Sequence, residues 1–231
     1  MTYGERATAV PGAVLWERTL GPTPEHKRIL PDGCMDILWD GRRLSVAGPD
    51  STARLYASRA DAFYVALRFS GGLGPALLGV SADELRDQTA ALEDLWPSVQ
   101  TRALTDQVAA DSAAALQAWV AKRAASYQMD AFGPRVLKMA MAGTSVAAMA
   151  DRLGVSCRQL HRRCLPIFGY GPRHLARVLR MGRALEETRW STPLAQVAAD
   201  CGYADQAHLS REVRALAGMT PTGLLQELRR S

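Results

Sequence analysis

One pattern occurs twice in the C-terminal part of the chain, its copies 48 positions apart. The first reads Val146-Ala147-Ala148-Met149-Ala150-Asp151-Arg152-Leu153-Gly154-Val155-Ser156, the second Leu194-Ala195-Gln196-Val197-Ala198-Ala199-Asp200-Cys201-Gly202-Tyr203-Ala204. Small or apolar residues fall at i, i+3, i+4 and i+7 in each (Val146, Met149, Ala150, Leu153; Leu194, Val197, Ala198, Cys201). That spacing draws one buried face on a two-turn helix. A glycine then stands where the helix must stop, because the left-handed backbone of a C-cap costs most other residues roughly 1–2 kcal/mol. A second, more polar helix is expected after each glycine. Helix, glycine turn, helix is the form of a helix-turn-helix unit, and the chain carries it in tandem.

Charge divides along the same line. Residues 1–132 carry 13 Lys+Arg against 16 Asp+Glu, while residues 133–231 carry 15 against 7. In the basic part Lys138 is the only lysine. The planar fork of arginine suits phosphate and guanine, so a basic, arginine-based helical region points to nucleic acid. A chain of 231 residues can fill two cores. It contains no apolar run of membrane-spanning length and no signal-peptide order at its N-terminus, so a cytoplasmic location is expected. Cys34, Cys157, Cys164 and Cys201 form no Cys-x-x-Cys pair, and reduced thiols are expected.

The expected fold class is α+β: a small N-terminal β-sandwich or barrel with helices, then an all-α tandem helix-turn-helix domain. Residues 14–16, 35–39, 44–47 and 63–69 are short β-prone runs, separated by Pro31-Asp32-Gly33, Asp40-Gly41 and Gly48-Pro49-Asp50. The Asp40-Gly41 pair predicts a hairpin. Residues from about 81 to 130 read as helical: a capping box at Ser81-Ala82-Asp83-Glu84 opens one helix, and a second amphipathic stretch runs through Leu104, Val108, Leu116, Trp119 and Val120. These helices would cover the sheet or carry a subunit contact. The expected domains are 1–130, a β-rich sensor and oligomerisation domain with its helical linker, and 134–231, the DNA reader, with Gly133-Pro134 as the seam. Pro172 is placed to open a linker helix of about 17 residues.

Residues 134–228 resemble the tandem helix-turn-helix domain of AraC/XylS-type transcription regulators. The resemblance runs from Gly154 through Phe168-Gly169-x-x-Pro172 and Arg180-Met181-x-x-Ala184. It continues with Val197-Ala198-x-x-Cys201-Gly202-Tyr203-x-Asp205-x-x-His208-Leu209-Ser210-Arg211 and ends at Gly218-x-Thr220-Pro221. As in that family, the second unit has one extra residue after its glycine: Gly154 to Arg162 spans eight positions and Gly202 to Arg211 spans nine. Cys164 and Val213 stand where the family usually has phenylalanine, and Leu224 where it has an aromatic; all three remain apolar. The resemblance implies an effector-responsive, sequence-specific transcription regulator and no enzymatic activity.

The periodicity places Leu160 and Cys164, and likewise Leu209 and Val213, inward. The candidates for base contact are therefore Arg158, Gln159, His161 and Arg162 in the first recognition helix and Gln206, Ala207, His208 and Arg211 in the second. Ser156 and Asp205 are candidate N-caps that would bring helix N-termini to phosphates, with Arg173 and Arg177 as further phosphate candidates and Arg183 facing phosphate or solvent. The segment from Ile29 to Trp39, followed by Val46-Ala47-Gly48-Pro49, resembles part of the N-terminal, cupin-like sensor domains of some AraC-type regulators. Trp16, Trp39, Tyr64, Arg68 and Phe69 are candidate pocket residues for an effector, or else core aromatics. No metal or cofactor is expected, since His26 is the only histidine of this region. Cys34, flanked by Asp32 and Asp36, is not expected to be an activated thiol. The expected partners are double-stranded DNA and a small-molecule effector, with RNA polymerase and a second copy of the chain as further candidates and no membrane. Two rivals carry less: a repair enzyme would need a reactive cysteine with a zinc cluster or histidine partner, and a protein-interaction antagonist would have no use for the exposed arginines.

Overall fold

The computed structural model describes residues 2–127, 130–189 and 192–230, without the side chains of Arg189, Leu228, Arg229 and Arg230. An antiparallel sheet of six strands forms the N-terminal part, in the order β1 (Thr2–Ala7), β2 (Ala13–Thr19), β7 (Phe63–Phe69), β4 (Met35–Trp39), β5 (Leu44–Ala47), β8 (Thr89–Ala91). A separate ribbon pairs β3 (Glu25–Ile29) with β6 (Arg54–Ser58). The hairpin expected at Asp40-Gly41 joins β4 to β5, with Trp39 opposite Leu44. Asp40 Oδ1 accepts the N–H groups of Arg42 and Arg43, both at 2.9 Å, which closes the turn.

Alternation sets the two faces of the sheet. Leu15, Ile37, Leu67 and Phe69 point to one side, where α1 (Leu73–Leu78), α2 (Leu92–Leu95), α3 (Ser98–Ala110) and α4 (Ser112–Ala125) bury them with Leu77, Leu92, Val108 and Leu116. The ribbon lies on the other side, where Glu25 pairs with Arg18 at 2.8 Å and Tyr56 meets Tyr64 edge-on.

Two readings of the segment between the sheet and the C-terminal helices change. The predicted capping box at Ser81 opens no helix: residues 81–88 form turns, and the next element is strand β8. The Glu84 N–H, which a capping box would give to the Ser81 hydroxyl, donates to the Ser81 carbonyl at 3.2 Å as in a turn, and the Ala82 N–H donates to the Pro166 carbonyl at 2.9 Å. The long amphipathic stretch is two helices, broken at Asp111, whose carboxylate accepts from the Ala114 N–H and caps α4.

The remaining part is all helical: α5 (Phe132–Met141), α6 (Val146–Leu153), α7 (Cys157–Phe168), α8 (Pro172–Arg189), α9 (Leu194–Asp200), α10 (Gln206–Ala217) and α11 (Pro221–Arg230). Gly133 and Pro134 lie within the first turn of α5. Val136, Met149, Leu160, Cys164, Leu175, Met181, Val197, Leu209, Val213 and Leu224 form one continuous core. Cys164, Val213 and Leu224 are fully buried at the positions where an aromatic is usual. Among the described residues no helix is long and apolar enough to cross a membrane.

Candidate nucleic-acid interface

Each helix-turn-helix unit is built by local signals. In the first, Ser145 caps α6 by accepting from the Ala148 N–H, and Gly154 ends it at φ 65°. Ser156 then opens α7 with a full capping box: its hydroxyl accepts from the Gln159 N–H at 3.2 Å, while Gln159 Oε1 accepts from the Ser156 N–H at 2.8 Å. In the second unit Gly202 turns at φ 73°, and Asp205 Oδ1 accepts the His208 N–H at 2.6 Å to open α10. Asp205 departs into extended backbone, as an N-cap must.

The outward faces are those the periodicity predicted. Arg158, Gln159, His161 and Arg162 are exposed on α7, over the fully buried Leu160 and Cys164. Gln206, Ala207 and Arg211 are exposed on α10, over Leu209 and Val213. Two of the named residues have local duties that narrow their use. Gln159 spends its side-chain oxygen on the capping box, which leaves its amide nitrogen. His208 is half-buried, its Nδ1 accepts the Ala204 N–H at 3.2 Å, and its ring stands edge-on to Tyr203.

Helix α8 runs from one unit to the other as the floor of an open groove of about 1400 Å³, bordered by His161 on α7 and by His208 and Glu212 on α10. Arg173 is exposed along this floor. Arg177, expected to face phosphate, is instead held by Glu212 in a two-pronged ion pair, at 2.8 and 3.3 Å. Burial pushes the Glu212 carboxyl up, but the hydrogen bond and charge of Arg177 outweigh it and leave it below its usual range. A guanidinium held by a carboxylate in this way has little net charge to offer DNA, so Arg177 mainly ties α8 to α10.

Three arginines have structural roles that sequence reasoning did not assign. Arg180 lies 4.7 Å over the ring of Tyr203, and its Nη1 donates to the Gly202 carbonyl at 3.3 Å. Arg183, expected at phosphate or solvent, donates to the Asp200 carbonyl at 3.3 Å. Both therefore supply positive charge where α9 ends and its last carbonyls point. Arg163 lies 3.7 Å over Phe132 and joins α7 to α5. Arg180 stood within a recognised motif, so its placement had a signal; the stacking on Tyr203 did not.

The five residues proposed as an effector pocket do not converge. Trp16 pairs across with Ala66, and Tyr64 and Arg68 share parity with Ala66, so these three face the ribbon side. Trp39 sits opposite Val65 and Leu44, and Phe69 shares the parity of Val65; both face the helices and belong to that core. The period of two divides the set whatever the aromatic content.

What remains on the ribbon side is a charged cluster. Arg68 lies 3.5 Å from Asp36, 3.8 Å from Asp32 and 3.4 Å from Glu5, with its guanidinium 5.9 Å from the Trp16 ring. Trp16 Nε1 donates to Asp36 at 2.7 Å. Burial pushes the Asp36 carboxyl up to about 6 against the pull of Arg68. Burial, then Asp32 and Asp36, push the Cys34 thiol well above its ordinary value, the direction the flanking carboxylates predicted. Among the described residues no group of three or more His, Cys, Asp or Glu is gathered as a metal site.

Residues 149–227 match the family model of a helix-turn-helix domain. Residues 13–91 match a second model, described as a domain of unknown function (DUF6597). No curated protein matches the chain. Among solved structures, the chain is similar to unsaturated fatty acid bound wild-type ToxT from Vibrio cholerae (10% identity, 95% of this chain and 96% of that one, TM-score 0.49). A DNA-binding transcriptional dual regulator from Escherichia coli K-12 is similar over 45% of this chain and 96% of its own, at 24% identity and TM-score 0.38. A probable AraC family transcriptional regulator from Rhodopseudomonas palustris is similar over 42% and 97%, at 22% identity and TM-score 0.37.

Proposed function

We propose, from the match of residues 149–227 to a helix-turn-helix domain, that the protein is a sequence-specific DNA-binding transcription regulator of the cytoplasm. The observation that carries this reading is a pair of capped recognition helices, α7 and α10, joined through α8, with Arg158 and Arg162 on one and Gln206 and Arg211 on the other exposed to solvent. Arginine can pair bidentately with guanine O6 and N7, and glutamine with adenine. The N-termini of α7 and α10, opened by Ser156 and Asp205, suit nearby phosphates, and Arg173 adds charge along the floor between them. A monomer would bind an asymmetric site of about 15–20 base pairs, two successive major-groove segments on one face. The N-terminal domain is the effector-responsive part. Its ribbon-side cluster of Arg68, Asp36 and Trp16 offers the polar anchor, and Trp39 and Phe69 are excluded from it as core residues. Contacts to RNA polymerase and to a second copy remain candidate partnerships, and the protein works without catalysis of its own.

The test is selection of bound fragments from sheared genomic DNA, then footprinting at about 150 mM salt, with the native protein and with Arg211→Ala. A discrete protected stretch of one to two helical turns is expected, with the variant losing about 1–3 kcal/mol and relaxing specificity at one position. Equal weakening on every sequence would make Arg211 a phosphate contact. Binding that is sequence-blind and abolished by salt would overturn the regulator reading.

A further inference from the structure

The recognition helices present their N-terminal turns and faces outward, and their C-terminal ends are held by the other part of the chain. At the end of α7 the Pro166 carbonyl accepts from the Ala82 N–H at 2.9 Å, and the Gly169 carbonyl accepts from Arg86 Nη1 at 3.3 Å. At the end of α10 the Leu216 carbonyl accepts from the Ala53 N–H at 2.7 Å, and the Ala217 carbonyl accepts from Arg28 Nη1 at 3.2 Å. Arg28 also pairs with Glu227 of α11 at 3.1 Å. The last carbonyls of a helix have no partner within it and carry the negative end of its dipole, so two arginines and two free amides are well matched to them.

All four donors come from β3 or from the loops around residues 48–54 and 80–88, and those loops are tied to each other. The Ser51 N–H and hydroxyl donate to the two carboxylate oxygens of Asp87, at 2.6 and 2.9 Å. The Asp87 N–H donates to the Pro49 carbonyl at 3.2 Å, and the Gly48 N–H to the Gln88 carbonyl at 3.0 Å. Asp87 holds a left-handed backbone, φ 60°, which aspartate and asparagine tolerate better than most residues. From the same loop the Ser51 carbonyl accepts from His174 Nε2, near the start of α8, at 2.9 Å. One clamp thus grips the end of α7, the start of α8 and the end of α10.

We propose that this two-loop clamp, with Asp87 as its positioning residue, sets the separation of the two recognition helices and hence the half-site spacing the protein selects. The inference rests on the DNA-reading function proposed above. Leverage makes it plausible in magnitude: α7 has 12 residues, about 18 Å at 1.5 Å per residue. A tilt of roughly 10° at its held end would move the reading end about 3 Å, close to one base-pair step of about 3.4 Å.

The experiment is selection from random double-stranded DNA with the full chain, comparing the native protein, Asp87→Ala and Asp87→Asn, alongside thermal melting. The native pool should show two half-sites at one separation. Asp87→Asn keeps an acceptor for Ser51 and tolerates the left-handed backbone, so it should select the same separation. Asp87→Ala should enrich the same half-site sequences spread over about three adjacent separations, each one base-pair step apart. If Asp87→Ala does not fold, Arg28→Ala, which removes one of the two donors to the end of α10, carries the same expectation. A folded Asp87→Ala, or in its place a folded Arg28→Ala, that keeps a single native separation would overturn the clamp and leave the DNA-reading function standing. A native pool with no enriched sequence would overturn that function, and the clamp's role with it.

Discussion

Asp205 lets the helix cap and the proposed DNA contact be separated in one experiment. Its Oδ1 accepts the His208 N–H at 2.6 Å, in the N-cap position of α10. Asp205→Ala leaves that N–H without its side-chain partner, and loss of an N-cap costs about 1 kcal/mol within a range of roughly 0.5–2. For a chain of this size each kcal/mol moves Tm by about 2–4 °C, so melting should fall by roughly 1–8 °C. Asparagine caps nearly as well as aspartate, and Asp205→Asn forfeits only the attraction of a carboxylate for the helix dipole, about 0.3–1 kcal/mol. For DNA the order is different. A carboxylate at a helix end that meets phosphate is repulsive, so Asp205→Asn should bind DNA a few-fold tighter at low salt on every sequence. Asp205→Ala gains the same charge but frays the turn that carries Gln206 and orients Arg211, so it should bind more weakly than Asp205→Asn and discriminate less. The assays are thermal melting by circular dichroism and fluorescence anisotropy against salt. A melting temperature of Asp205→Ala equal to that of the native protein would refute the cap as a source of stability. Equal DNA affinity of all three proteins would refute the placement of this helix end at phosphate.

Three more outcomes are expected. Gly202→Val puts a β-branched side chain at φ 73°, where an added Cβ meets nothing within 4 Å, so the cost is backbone strain of at least about 1–2 kcal/mol; an unchanged melting temperature would mean the turn lies elsewhere. Arg177→Ala leaves Glu212 unpaired in the groove and should weaken binding to every sequence by roughly tenfold, the equivalent of 1.4 kcal/mol. Adding Glu212→Gln should restore most of that loss in anisotropy titrations, and no restoration would argue against the ion pair as the cause. The Asp36 carboxyl, raised to about 6 from 3.8, binds its proton more tightly folded than unfolded. Asp36 therefore costs stability as pH rises from about 4 to 6, and Asp36→Asn should flatten that fall in urea unfolding, leaving a share of the same sign from Asp50, also raised to about 6.

The helical part of the molecule was largely legible because its determinants are local. The stripe through Met149, Ala150 and Val197, Ala198, the two turn glycines, and the caps Ser156 and Asp205 each act within a few residues, and all are found in the expected places. The exposed faces of α7 and α10 follow from the same period. What the spacing did not carry was the second use of polar groups. Nothing around Arg177 announces Glu212, 35 positions away, and nothing around Arg180 announces the face of Tyr203.

In the β-rich part the sequence determined that short antiparallel strands exist and where the β4–β5 turn lies, since alternation and turn residues are again local. The tertiary structure decided which strands are neighbours, because pairing such as β2 with β7 joins residues about fifty positions apart and depends on register. Parity along a strand is fixed by the backbone, yet only the register puts Trp16 and Arg68 on one side of the sheet and Trp39 and Phe69 on the other. The joining of the two parts was equally hidden. The amides of Ala53 and Ala82 that meet α10 and α7 belong to residues with no side-chain chemistry. Any residue but proline offers that amide, so its partner is chosen by packing of the whole molecule rather than by the identity of the residue.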